Sequence, residues 1–144
     1  AGIIPDIACF QIGSPNGITT GISDAQLRYM QKATVLQIET CRQYGIIPVM
    51  RTWIPADSPT WGGTGTEAYG TDDAKRVAWN HFIRSLSNIL LIDADYVVHG
   101  GIDTTGQAYM NPNYTTDHIH LNSTGSMEVG ISGVSVMKKA INSI

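Results

Sequence analysis

Three short apolar runs, each followed by a long segment with helical spacing, constrain this chain more than any other feature. Ile7-Ala8-Cys9-Phe10-Gln11-Ile12 is nearly unbroken in hydrophobicity; Ile46 to Ile54 is a second run and Ile89 to Ile92 a third, with Tyr96-Val97-Val98 as a possible extension. A strand that is apolar at successive positions has both faces covered, which is the habit of parallel sheets. Pro48 sits near the start of the second run, where a missing donor is tolerated, and Pro55 ends it.

The intervening segments carry helix signals. Ser23 and Gln26 form a capping box; Leu27, Met30, Thr34, Ile38 and Cys41 then recur at helical spacing until Gly45 supplies a stop. That predicts a helix of about six turns. Thr71 is placed to cap a second helix, with Ala74, Val77, Ala78, Phe82 and Leu86 as its apolar stripe. Ser123 opens a third, in which Met127, Ile131, Val134 and Ile141 are expected to face inward. Gly130 and Gly133 inside it each cost about 1 kcal/mol relative to alanine, which implies a close packing contact. Strand and helix alternating three times predict an α/β fold, a parallel sheet with helices on both faces.

Turn formers follow the first strand at Gly13-Ser14-Pro15-Asn16-Gly17, and long polar stretches run from Ala56 to Gly70 and from Gly100 to Thr116. Ligands of open α/β sheets bind where such loops leave the carboxyl ends of the strands. A net charge of −3, with nine Lys and Arg and no basic run, argues against nucleic acid and anionic membranes as partners. No apolar run approaches the roughly 18 residues of a membrane span. The N-terminus has no signal-peptide pattern, and a chain beginning at Ala1 is expected to be a processed product or a fragment. Cys9 and Cys41 have no motif spacing and read as buried free thiols, with a disulfide left open.

Chemistry concentrates in Thr116-Asp117-His118-Ile119-His120-Leu121-Asn122. A carboxylate three residues ahead of an imidazole can fix its tautomer on one loop, leaving the other ring nitrogen to take a proton from a hydroxyl and return it to a leaving group. Asp117 would orient and His120 would act. Asp117, His118 and His120 can also be read as metal ligands, but no further Cys, His or Asp cluster completes such a site, and no cofactor is called for. Ser14 as a nucleophile lacks the elbow pattern and precedes a proline. Trp53, Trp61 and Tyr69 offer flat faces suited to sugar rings, or to ordinary packing. Arg51 reads as a substrate contact or a strand-end ion pair, the second being the simpler; His81 and His99 read as structural.

The chain resembles the SGNH (GDSL-like) esterases. Strand Ile7 to Ile12 followed by Gly13 and Asn16 looks like that family's third block, with Ser14 and Pro15 intervening and Gly17 in place of an aspartate; Asp117-His118-Ile119-His120 ahead of a C-terminal helix looks like its last block. The resemblance implies a flavodoxin-like three-layer fold, with His120 as general base, Asp117 as its orienting partner and Asn16 as an oxyanion donor. The family's serine block and its second-block glycine are not found ahead of the third block. Residues 1–144 are therefore expected to form the C-terminal portion of a single domain, with the nucleophile on a preceding segment. The expected substrate is an acylated small molecule or carbohydrate, acetyl groups included. A carbohydrate-binding or structural module that kept the fold is the alternative.

Overall fold

A computed structural model describes residues 4–11, 22–55, 67–102, 108–118 and 120–142, without the side chains of 67–73. Strand β1 (Ile7–Phe10), helix α1 (Asp24–Gln43), strand β2 (Ile47–Arg51), helix α2 (Glu67–Ser85) and strand β3 (Leu90–Ile92) alternate as the apolar runs predict. They form a three-stranded sheet ordered β1-β2-β3, parallel at both pairings, with Cys9 level with Val49 and Val49 level with Leu90. Helix α3 (Ala94–Val98), a two-stranded antiparallel sheet of β4 (His99–Ile102) and β5 (Ala108–Met110), a 3-10 turn (Pro112–Tyr114) and helix α4 (Ser123–Ile141) follow.

Helices cover both faces of the parallel sheet. On one face, α1 and α2 bury Leu27, Ile38, Trp79 and Ile83 with Met50 and Trp53, and Phe10 and Leu91 pack against them. On the other, Ala94, Val98, Met110 and Val129 close over Ile92. Only β2 has a neighbour on each side among the described residues, and its interior positions are buried. β1 departs from the expected buried strand: Cys9 is exposed and the other three residues are half-buried, because one edge carries no partner among the described residues. Cys41 is buried, and both thiols are free.

Local chemistry explains where the sequence patterns held. Ser23 accepts from the Gln26 amide while Gln26 accepts from the Ser23 amide, so the capping box is complete. Gly45 takes φ +71°, and the Ile46 amide turns back to the Cys41 carbonyl, closing α1 as a glycine stop should.

Other expectations are corrected. Thr71 lies inside α2, which starts at Glu67. The buried side of α2 is Arg76, Trp79, Asn80 and Ile83, whereas Ala74, Val77 and Ala78 are exposed and Phe82 and Leu86 are half-buried. Two of those buried residues are polar, and each has a built partner. The Asn80 amide donates to the Trp53 carbonyl and accepts from the Trp53 N–H, both at 2.8 Å, which ties the exit of β2 to α2. Tyr96-Val97-Val98 is helical because Asp93 caps that segment through the Tyr96 amide. Within Gly100 to Thr116, β4 and β5 pair where an irregular loop was expected. Gly100 admits the Tyr109 ring so closely that a Cβ there would stand 2.6 Å from it, and glycine removes the side-chain pattern that reveals a strand.

Four charged side chains tie α2 to the end of β3. Arg84 donates to both oxygens of Asp93 (2.8 and 2.7 Å) and to Asp95 Oδ2 (2.7 Å), Arg76 donates to Asp95 Oδ1, and the Thr52 hydroxyl donates to Asp93. Burial pushes the Asp93 carboxyl upward, but the hydrogen bonds and charge of Arg84, with the Tyr96 amide, outweigh it and hold it below the usual value; Arg84 is held above its own. A carboxylate depressed in the folded state stabilises fully above its unfolded pKa, about 3.9, and loses that contribution as pH falls through the lower folded value. The thermal midpoint is therefore expected to be insensitive to this group between about pH 5 and 7 and to fall below about pH 4. In Asp93→Asn, a titration of midpoint against pH should show a shallower acid limb.

Candidate active site

Helix α4 sets the position of the loop that precedes it. Gly133 approaches Ile92 at the carboxyl end of β3, where a Cβ on the glycine would stand 3.4 Å from Ile92 Cδ1, while Met137 accepts from the Cys9 thiol at 3.7 Å. Cys9 is level with Leu90, two residues before Ile92, so α4 runs antiparallel to the strands. Ser123 lies ten residues before Gly133, about 15 Å further along the helix axis. The start of α4, and the loop from Thr115 to Leu121 before it, therefore project beyond the carboxyl ends of the strands. That is the ligand-binding edge of an open α/β sheet.

The loop is built around side chains as much as backbone. Thr115 and Leu121 form an isolated antiparallel bridge at its base, and the Asn122 amide donates to the Tyr114 carbonyl at 2.8 Å. Asn122 caps α4 by accepting from the Gly125 amide and also donates to the Asn113 carbonyl. Inside the loop the His118 amide donates to the Thr115 hydroxyl at 2.9 Å, and His118 takes φ +65°, a left-handed conformation that non-glycine residues adopt at a cost. This reversal turns the chain back over Asp117.

Asp117 consequently grips His120 twice. Its Oδ1 accepts from the His120 backbone amide at 2.7 Å, and its Oδ2 lies 2.7 Å from His120 Nδ1. An ionised carboxylate only accepts, so Nδ1 carries a proton, and in the neutral imidazole Nε2 then keeps its lone pair. The imidazole is 75% exposed and the carboxylate 48%, so that nitrogen is open to a reactant. The arrangement can take a proton from a hydroxyl and hold the resulting imidazolium against Asp117.

Gly125 is the residue of this site that sequence reasoning passed over. A Cβ there would stand 2.6 Å from the Tyr114 carbonyl oxygen and 2.8 Å from Tyr114 Cβ, so only glycine lets the first turn of α4 seat against the loop. Gly125→Ala is expected to cost about 1–3 kcal/mol in a denaturant titration. It should lower any activity of His120 more than it raises KM, because the loop would shift as a unit. The available signal was a glycine in the first turn of a helix, where its low propensity needs a reason.

The remaining sequence candidates are placed differently. Asn16, Ser14 and Trp61 lie outside the described residues, as does the side chain of Tyr69, whose backbone is in the first turn of α2 rather than in a loop. Trp53 is corrected: it is 1% exposed and stacked on Trp79 with ring centroids 4.9 Å apart, leaving no open face for a sugar. Arg51, at the carboxyl end of β2, forms no strand-end ion pair among the described residues. It donates to the neutral amide of Gln11 at 3.0 Å, its Nε is buried with no hydrogen-bond partner among the described residues, and burial lowers its pKa. Among the described residues no group of three or more His, Cys, Asp and Glu is arranged to hold a metal, and no helix is long and apolar enough to cross a membrane.

No protein-family model matches the chain, and no curated protein matches it by sequence. Solved structures do match its fold. A Bacteroides fragilis protein described as a candidate acylhydrolase superposes with a TM-score of 0.68 at 18% identity, over 94% of this chain and 63% of its own. A GDSL-like lipase from Bacteroides thetaiotaomicron gives 0.67 at 13% identity with the same coverages. A Streptococcus pneumoniae protein described as a candidate platelet activating factor gives 0.57 at 16% identity, over 88% of this chain and 57% of its own. This chain thus spans less than two thirds of the length of each.

Proposed function

We propose, from the premise that this chain carries the fold of the GDSL-like hydrolases, that it supplies the acid–base half of a serine esterase site. The observation that carries the proposal is the two-point grip of Asp117 on His120, on a loop projecting from the carboxyl edge of the parallel sheet. The nucleophilic serine belongs to a segment preceding Ala1, either continuous with this chain or held as a separate one.

In the proposed reaction, His120 Nε2 takes the serine hydroxyl proton as the serine oxygen bonds to the ester carbonyl carbon. Asp117 steadies the imidazolium, and the Asn16 side-chain amide donates to the oxyanion, an interaction worth about 3 kcal/mol where such donors are preorganised. The tetrahedral adduct collapses as the bond to the alcohol oxygen breaks, and His120 returns its proton to that oxygen. Water then repeats the sequence on the acyl-serine: it loses a proton to His120 as it adds to the acyl carbon, and the bond to the serine oxygen breaks as His120 returns that proton to it, releasing the acid.

The substrate class is supported by sequence alone: the stretch between β2 and α2 is polar and contains Trp61, and Tyr69 follows in the first turn of α2. Short acyl groups, acetyl above all, on a carbohydrate alcohol suit that composition better than a long aliphatic chain. The test is hydrolysis of p-nitrophenyl acetate and of an acetylated xylan oligosaccharide by this chain together with its preceding segment. Turnover of both supports the proposal, and turnover of the first alone removes the carbohydrate part. A folded protein inert to both leaves the carbohydrate-binding module, which a binding titration with the deacetylated oligosaccharide then detects.

A further inference from the structure

Arg76 and Arg84 are answered by the carboxylates of Asp93 and Asp95. Arg51, the last residue of β2, is not. It is half-buried, and among the described residues its side chain makes one hydrogen bond, from Nη1 to the side-chain oxygen of Gln11. Its Nη2 donates to none of them, and its Nε is buried without a partner. A cation drawn out of water is costly unless a counter-charge and hydrogen bonds offset the loss. An unsatisfied buried donor in a native fold therefore calls for a reason, a bound ligand group among them.

The sheet register fixes where this arginine points. Phe10, Met50 and Leu91 are level with one another and pack with α1 and α2. Arg51 and Ile92, one residue further along, are level with each other and face the opposite side, where Ile92 joins the core under α4. Arg51, Gln11, Cys9, Phe10, Val49 and Ile92 line a cavity of about 240 Å³ at the carboxyl ends of the strands. Its described lining holds no carboxylate and no cation other than Arg51. At that size, below the roughly 300 Å³ of the smallest pockets for whole drug-sized ligands, it suits one group of a ligand. The cavity opens at the sheet edge from which the loop of Asp117 and His120 projects, on the face that α4 covers.

We propose that Arg51 and Gln11 form an anion-binding subsite for the carboxylate of an acidic sugar, so that the carbohydrate this protein recognises carries uronate units. A guanidinium is a planar array of donors, and carboxylate is the anion whose two oxygens match it best. The single charge matches as well: a phosphate monoester carries nearly two and is better served by several cations, and no second Lys or Arg lines the cavity among the described residues. Because the Gln11 oxygen accepts from Arg51, its NH2 is left as a donor beside the guanidinium, for a carboxylate oxygen or a ring hydroxyl. The orphaned Nε is the cost of turning the outer nitrogens toward the cavity. Gly133 meets Ile92 at the level of Arg51, and Ser123 lies about 15 Å further along α4, so the carboxylate belongs to a different sugar unit from the one whose ester His120 serves. The part played by an ester rests on the proposed esterase activity, whereas the anion subsite does not, and direct binding separates the two.

The test is a calorimetric titration of the protein extended by its preceding coding sequence, in the His120→Ala form so that binding is read without turnover. Trigalacturonate should bind about 10- to 100-fold more tightly than neutral galactotriose, and adding Arg51→Met should bring the two within about twofold of each other. In the active protein, Arg51→Met should raise KM for an acetylated galacturonate oligomer by a similar factor relative to KM for an acetylated xylan oligosaccharide. Its thermal midpoint should fall by no more than about 2 °C, because a desolvated cation without an internal counter-ion leaves no buried charge behind when it is removed. Equal affinity for the two trisaccharides, or a preference that survives Arg51→Met, overturns the proposal. So does a fall in midpoint of about 10 °C or more, which identifies an internal carboxylate as the partner of Arg51. Tighter, Arg51-dependent binding of a sulfated galactotriose overturns the choice of carboxylate. A protein that binds trigalacturonate through Arg51 but hydrolyses no ester removes the esterase proposal alone.

Discussion

Replacing His120 with alanine in the extended protein is expected to lower kcat for p-nitrophenyl acetate by about ten-thousand-fold or more, with KM little changed. The side chain is 75% exposed and its ring bonds to Asp117 within the same loop, so its removal disturbs no packed core and the loss is one of chemistry. Asp117→Asn is a finer version of the same experiment, with an expected loss of about a thousand- to ten-thousand-fold. Asparagine can keep an oxygen on the His120 amide, but it then presents NH2 to Nδ1. The ring must accept there and carry its proton on Nε2, where the serine needs a lone pair. Steady-state kinetics on the two variants, beside circular dichroism to confirm folding, separates this account from a structural role. Two variants with near-normal kcat would end it.

The second large effect is on stability. Asp95→Ala is expected to cost about 1.5–3 kcal/mol in a denaturant titration, because it removes a buried carboxylate that accepts charge-assisted hydrogen bonds from Arg76 and Arg84. Arg84 is cushioned by its two bonds to Asp93 and adds little to the loss. Replacing both partners, with Arg76→Met and Asp95→Leu, should recover much of the stability, since two apolar groups bury without the desolvation penalty of charge. A double variant less stable than Asp95→Ala would show that the network is needed for more than pairing.

How far the sequence could be read depended on whether the signal was local. The α1 capping box and the Gly45 stop involve residues a few positions apart, and they form as expected. Asp117 and His120 belong to the same class: three residues of spacing suffice to close the contact. The inward sides of α2 and α4 were misread for opposite reasons. In α2, buried Arg76 and Asn80 answer to Asp95 and to the Trp53 backbone, distant partners that no periodicity reveals. In α4, Met127, Ile131, Val134 and Ile141 are exposed where Gly125, Val129, Gly133 and Ala140 are buried, and a Cβ on Gly130 would meet none of the described residues within 4 Å. Apolar residues there spread well beyond one face, with Glu128, Ser132, Ser135 and Lys139 on the remaining side, so spacing cannot choose which of them is buried; the choice is made by glycines small enough to meet Tyr114 and Ile92. Trp53 was misjudged because an indole at a strand end suits a core as well as a ligand, and only Trp79 across the packing decides between them.

The central claim is that Asp117 and His120 serve a serine carried outside residues 1–144. Its most direct test is to treat the extended protein with diisopropyl fluorophosphate and locate the adduct by peptide mass spectrometry. The account predicts one phosphorylated serine in the segment preceding Ala1, labelling that is lost in His120→Ala, and no adduct within residues 1–144. An adduct on Ser14, or ester hydrolysis that persists with no serine labelled, would contradict it.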